Sequence, residues 1–144
     1  MAQPQILIKI LLIALFSFVF NLAWEVPHSL LYKTTTEMKQ PEFVRRILKA
    51  SAGDIIMLLL IFLGISALNA TFNWSITQKN NLLFSMLLGA VIAILFEVYA
   101  HATHRFEYLP SMPLIPFTNV GISPLLQMIV TPPVTFWVAE KILQ

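Results

Sequence analysis

The sequence predicts an all-α integral membrane protein: a four-helix bundle, N-out/C-out, with a short amphipathic surface helix in its first loop. Three observations carry this. Hydrophobic residues make up 58% of the chain and charged residues 11%, the mean hydropathy is +0.78, and the apolar residues fall into four separate runs. Soluble globular chains carry roughly 25% charged residues, so this composition belongs to a chain dissolved in lipid. The 144 residues are read as one domain over 1–144, with helices at about 6–24, 50–68, 82–100 and 120–139. Each run is near the ~20 residues that cross a hydrocarbon core. No length is left for a soluble catalytic or nucleic-acid-binding domain, and no nucleic acid is expected as a partner. The lack of cysteine excludes disulfides, thiolate nucleophiles and iron–sulfur clusters.

The first run has no basic segment before it and no small-x-small cleavage site after it, so it reads as a retained helix rather than a cleaved leader. Pro27 removes a backbone donor and is expected to kink or end this helix near Ala23 to Glu25. The loop that follows holds Lys33, Lys39, Arg45, Arg46 and Lys49, five of the nine basic residues. The positive-inside rule places that loop in the cytoplasm of a multi-pass cell membrane protein. Arg105 joins the same side, against Lys9, Lys79 and Lys141 on the other. Within the loop, PEFVRRILKA opens on a proline and sets Phe43, Ile47 and Leu48 against Arg45, Arg46 and Lys49, the pattern of a surface helix on anionic headgroups.

The second helix opens on Ser51-Ala-Gly-Asp54, an S-x-x-D pattern that makes Asp54 either a helix-start residue or an intramembrane carboxylate. The third ends in FEVYAHATHRFEY. There Glu97, His101 and His104 stand at i, i+4 and i+7, one stripe rising about 10 Å, continued by Ala93 and Ala90. Small residues permit close helix approach, so the stripe is expected to face the bundle interior. Leu82 to Phe96 spans about 22 Å of a ~30 Å core, which submerges Glu97. The uncharged loop LPSMPLIPF, Leu109 to Phe117, contains three prolines and reads either as a lid or lipid gate over the polar residues or as a stiff connector. The fourth helix is expected to kink at Pro124, Pro132 and Pro133, with Gln127 and Thr131 partnering the freed backbone groups.

Polar residues gather at one end of the four helices: Ser17, Asn21, Glu25 and His28; Ser51 and Asp54; Glu97, His101 and His104; Ser123, Gln127 and Thr131. The opposite halves read as almost bare. Each residue has a plain structural reading: hydroxyls bonding back to the helix, His101, His104 and Arg105 reaching lipid phosphates, and Glu25 paired with Arg105. Together they point to a site, because intramembrane ionisable groups are costly and are usually functional. His28, His101, His104, Glu25, Glu97 and Asp54 form a ligand set suited to a divalent zinc, iron or manganese ion, and Glu25-x-x-His28 has the spacing of di-iron bundles. Without metal, Glu97, His101 and Glu25 serve as catalytic acid/base groups, with Asn21, Arg105 and Gln127 binding substrate.

These residues support a small membrane enzyme acting on a lipid-like or apolar substrate near the cytoplasmic leaflet. Its partners are membrane lipids, a lipid-like small molecule and further copies of the chain. The alternatives are a transporter or channel subunit, a haem-binding electron carrier using His28 with His101 or His104, and a membrane scaffold or assembly protein. FNLAWEVPHSLLY laid on FEVYAHATHRFEY matches at Phe, His and Tyr with a constant offset of 76, which suggests two related helical hairpins.

Overall fold

The structure is a computed structural model that describes residues 3–144, and it is helical nearly throughout. The elements are α1 (Gln3–His28), a 3-10 turn (Ser29–Leu31), α2 (Lys33–Thr36), α3 (Gln40–Leu68), α4 (Lys79–Ala102) and α5 (Ile122–Ile142). Among the described residues there is no strand, only the isolated bridges Tyr32 with Tyr108 and Leu114 with Gly121. Four helices are long and apolar enough to cross a membrane, so the chain is a multi-pass membrane protein. Each of α1 and α4 packs against both α3 and α5. The four therefore form a ring, with α1 and α4 on one diagonal. Ile13, Leu58, Phe62, Ala93, Met128 and Phe136 fill the centre, while Leu7, Leu11, Leu60, Leu87 and Leu95 point outward. An exposed apolar face is what lipid solvates.

The all-α four-helix class stands, and the boundaries move for local reasons. The amphipathic segment is helical, but it is the beginning of α3 and not a separate surface helix. Proline sits in its first turn, where a missing donor costs nothing, and no breaker follows before Gly53. Ser51 accordingly caps nothing: its Oγ donates to the Ile47 carbonyl at 3.0 Å, and Asp54 lies well inside the helix. α1 likewise runs through Pro27 to His28 before tightening into the 3-10 turn, because so late a proline interrupts only the last turn.

Pro132 and Pro133 lie inside α5, and Pro132 deprives the Met128 carbonyl of its helical donor. Neither Gln127 nor Thr131 compensates; Thr131 Oγ1 has no partner. The freed oxygen instead lies against Gly89 of α4, so close that a Cβ there would stand 1.8 Å from it. This contact brings α4 and α5 together backbone to backbone.

Nor is the far end of the bundle bare. The chain between α3 and α4 folds over it and is held from below by Lys9, which is 3% exposed. Lys9 Nζ donates to the carbonyls of Trp74 at 3.2 Å and Phe72 at 3.3 Å, and it sits over the Trp74 and Phe62 rings. Trp74 Nε1 donates to Ser66 Oγ at 2.8 Å, Asn69 and Asn81 bond to each other, and Glu140 accepts from the Ile76 amide at 3.2 Å. Leucine-rich flanks concealed this network, and both acceptors of Lys9 are backbone oxygens.

Candidate functional site

At the opposite end a cavity of about 760 Å³ lies between the last turns of α1 and α4 and the first turns of α3 and α5. α1 brings Glu25 and His28 into its wall, α3 brings Asp54 and α5 brings Gln127. Glu25 and Asp54 are joined, together with Asn21, through the side-chain amide of Gln127. Gln127 Nε2 stands 3.0 Å from Asn21 Oδ1, 3.2 Å from Glu25 Oε1 and 3.1 Å from Asp54 Oδ2. An amide nitrogen carries two hydrogens, so three acceptors compete for them. Asn21 is fixed from below, its Nδ2 donating to the Ser17 carbonyl at 2.9 Å. Two carboxyl groups thus meet at a single donor beside open space.

His28 is engaged on both ring nitrogens, Nδ1 with Ser123 Oγ and Nε2 with the Tyr32 hydroxyl, each at 2.7 Å. A metal or haem iron bound there would have to displace one of those hydroxyls. Burial, reinforced by the nearby Glu97 and Glu25 carboxyls, pushes the Tyr32 phenol up from its ordinary value, so it remains an O–H group. The rest of the wall is largely hydrocarbon from Met57, Ala93, Phe96 and Met128, and the first turns of α3 add Arg45, Arg46 and Lys49.

The polar residues of the stripe read on α4 do not line this cavity; only its Ala93 does. Glu97 is buried at 1% exposure, and its Oε2 accepts from the Gly121 amide at 3.3 Å, at the start of α5, where a carboxyl group is favoured by the helix dipole. His101 Nε2 is 4.0 Å from the same oxygen, beyond hydrogen-bond length, and its ring packs on Phe106 and Tyr108. His104 departs from the helix altogether. α4 stops at Ala102, the Arg105 amide reaches back to the Ala100 carbonyl at 2.9 Å, and His104 takes the left-handed position of that turn with φ 52°, exposed. Seven-residue spacing marks a stripe only while the helix lasts. Arg105 donates to the Tyr99 hydroxyl at 3.2 Å and forms no ion pair with Glu25.

Between the α1 and α4 polar groups stands an aromatic cluster of Tyr32, Phe106 and Tyr108, with centroids 5.0 to 5.2 Å apart. It is braced by the bridge from Tyr32 to Tyr108, where the Lys33 amide donates to Glu107 O and the Leu109 amide to Leu31 O, both at 2.9 Å. These tyrosines are equivalent in the 76-residue offset. Of the six candidate metal ligands, Glu25, His28 and Asp54 line the cavity and Glu97, His101 and His104 do not, and among the described residues no group of three or more histidines and carboxylates is set to hold one ion. The loop Leu109 to Phe117 does not line the cavity. It turns through Met112 and closes by the Ile122 amide to the Pro113 carbonyl at 2.8 Å, as a connector.

Of the residues marked in the sequence, Glu25, His28, Asp54, Arg105 and Gln127 line the cavity and Asn21 bonds to Gln127 behind it, whereas Tyr32 and the inward side of α3 were missed. The signal was present in the second case: Arg46, Lys49, Gly53 and Met57 follow helical spacing with Asp54, once the segment is read as one helix. Comparison of the chain with protein-family models, curated proteins and solved structures found no match.

Proposed function

We propose that the protein is a small membrane enzyme that admits a lipid-like substrate to this cavity and moves a proton on it with Glu25 and Asp54. One observation carries the reading: two carboxyl groups from different helices share the Gln127 amide on the wall of a 760 Å³ cavity that is otherwise mainly apolar. Cavities of this size hold small molecules, and convergent polar groups in an apolar pocket orient them. Paired carboxyls suit a proton shift along a C=C–C–H unit, one group delivering a proton to the first carbon while the other removes one from the third and the double bond moves across. Such an isomerisation consumes no oxidant, reductant or water. His28, held between Ser123 and Tyr32 in the same wall, is a further group able to pass a proton.

The test uses Gly53, which lines the cavity and has open space where its Cβ would stand. Gly53→Phe should fill the chamber while leaving the helices packed. Lipid extracts of membranes containing the wild-type protein, Gly53→Phe, Glu25→Gln or Asp54→Asn would be compared by chromatography and mass spectrometry. A component formed only with the wild-type protein supports the reading. Identical extracts from all four, with the proteins equally abundant, would sink it.

A further inference from the structure

We infer that the ligand of this cavity carries a phosphate headgroup, held by Arg45, Arg46 and Lys49 on the first turns of α3, with its hydrocarbon chain running inward to the carboxyl pair. This rests on the reading of the cavity as the substrate site and adds the chemical class of what enters it. Four cations, these three and Arg105, line the chamber, and Glu42 is the carboxylate on the same stretch of α3. Arg105 is turned to Tyr99, but Arg45, Arg46 and Lys49 make no ion pair or hydrogen bond with any described side chain. Arg46 is half-buried and its charge reaches Glu25 and Tyr32, while Arg45 and Lys49 are exposed at the mouth of the chamber.

Of these three, Arg46 is the one drawn into the chamber wall without a partner. Lys33 satisfies its ammonium group with Glu107 at 3.1 Å, and Lys9 uses backbone carbonyls. The guanidinium groups of α3 have no such protein partner and face a space into which an anion fits. Guanidinium forks match the oxygen geometry of phosphate, and a lysine adds a point charge beside them. Asp54, one member of the carboxyl pair, lies farther in on the same helix. From Arg46 to Asp54 is eight residues, about 12 Å at 1.5 Å per residue. A phosphate at the arginines is thus kept away from Asp54, while apolar residues such as Met57 and Phe96 suit the chain between. Charge separation along the chamber fixes which end of the ligand enters first. The reacting carbons are therefore several bonds from the headgroup.

The inference is tested by thermal melting and ligand titration of the purified full chain in a non-ionic detergent, with dodecyl phosphate, dodecanol and inorganic phosphate as probes. Dodecyl phosphate should raise the melting temperature at concentrations where dodecanol and inorganic phosphate do little. Its affinity should fall about tenfold in Arg46→Gln and by less in Arg46→Lys, in keeping with loss of a charge-assisted bond. Gly53→Phe should abolish the effect. Equal binding of dodecyl phosphate and dodecanol, both blocked by Gly53→Phe, would overturn the headgroup assignment and leave the cavity as the substrate site. Dodecyl phosphate binding that survives Gly53→Phe would place the phosphate on the outer surface and overturn the inference. If inorganic phosphate binds as well as dodecyl phosphate, the recognised group is the free ion and not a lipid.

Discussion

Both ends of this bundle bury charge, and they do so in opposite ways. At the far end Lys9 is enclosed by two backbone carbonyls and two aromatic rings, and the chain between α3 and α4 closes over it. At the other end Glu25 and Asp54 compete for one amide, and unpaired arginines face an open chamber of about 760 Å³. Burial of an ionisable group inside a membrane protein is therefore not by itself a mark of function. What separates the two ends is whether the protein completes the coordination of the group. Lys9 acts as a fastener; the carboxyl pair is left with capacity to spare beside space for a ligand.

The comparison breaks most visibly at Lys9. Lys9→Ala removes the donor to the Phe72 and Trp74 carbonyls and the filling between the Trp74 and Phe62 rings, so it should destabilise by about 3 kcal/mol or more. Thermal melting in detergent measures the loss, and limited proteolysis should cut first in the chain between α3 and α4. A melting temperature equal to wild type would mean that this end is not held by Lys9.

The next effect belongs to neither end. Gly89→Ala places a methyl group on the Met128 carbonyl, where the present distance would be 1.8 Å, and the obstacle is backbone that cannot rotate away. α4 and α5 must separate, at a cost of about 2–3 kcal/mol. The displacement also widens the chamber, since Met128 is in its wall. Gly64→Ala provides the contrast: its nearest neighbour would be the Leu88 Cδ1 methyl at 3.4 Å, so it should melt close to wild type.

The helical class was legible because hydrophobic runs need no partner to be recognised, and three of the four expected spans sit wholly within observed helices. The polar residues of α1 were legible for a related reason: Asn21, Glu25 and His28 keep their period in an unbroken helix. His104 was misread because the helix ends by a left-handed turn at a non-glycine residue, and composition does not signal that stop. The α3 arginines were misread because a proline at a helix start and a basic face look the same whether the helix lies on a membrane or continues into it. Lys9 was read as a topology marker because its partners are carbonyls some 60 residues away in the chain, and backbone acceptors leave no trace in a sequence.

The smallest expected effect is the one that most sharpens the contrast between the ends: isosteric neutralisation at each. Lys9→Met keeps the volume but leaves two carbonyls without their donor, and should cost about 1–3 kcal/mol. Glu25→Gln and Asp54→Asn also keep the volume, and the replacing amide still offers an oxygen to Gln127 Nε2 at the present 3.2 and 3.1 Å. No hydrogen bond has to be lost, and a group costly to hold in an apolar wall is removed. Each should melt within about 1 kcal/mol of wild type or above it, the behaviour expected where stability has been given up for function. A fall in melting temperature as large as that of Lys9→Met would show that the carboxyl pair holds the helices together as Lys9 does. The distinction between a fastener and a site would then be lost.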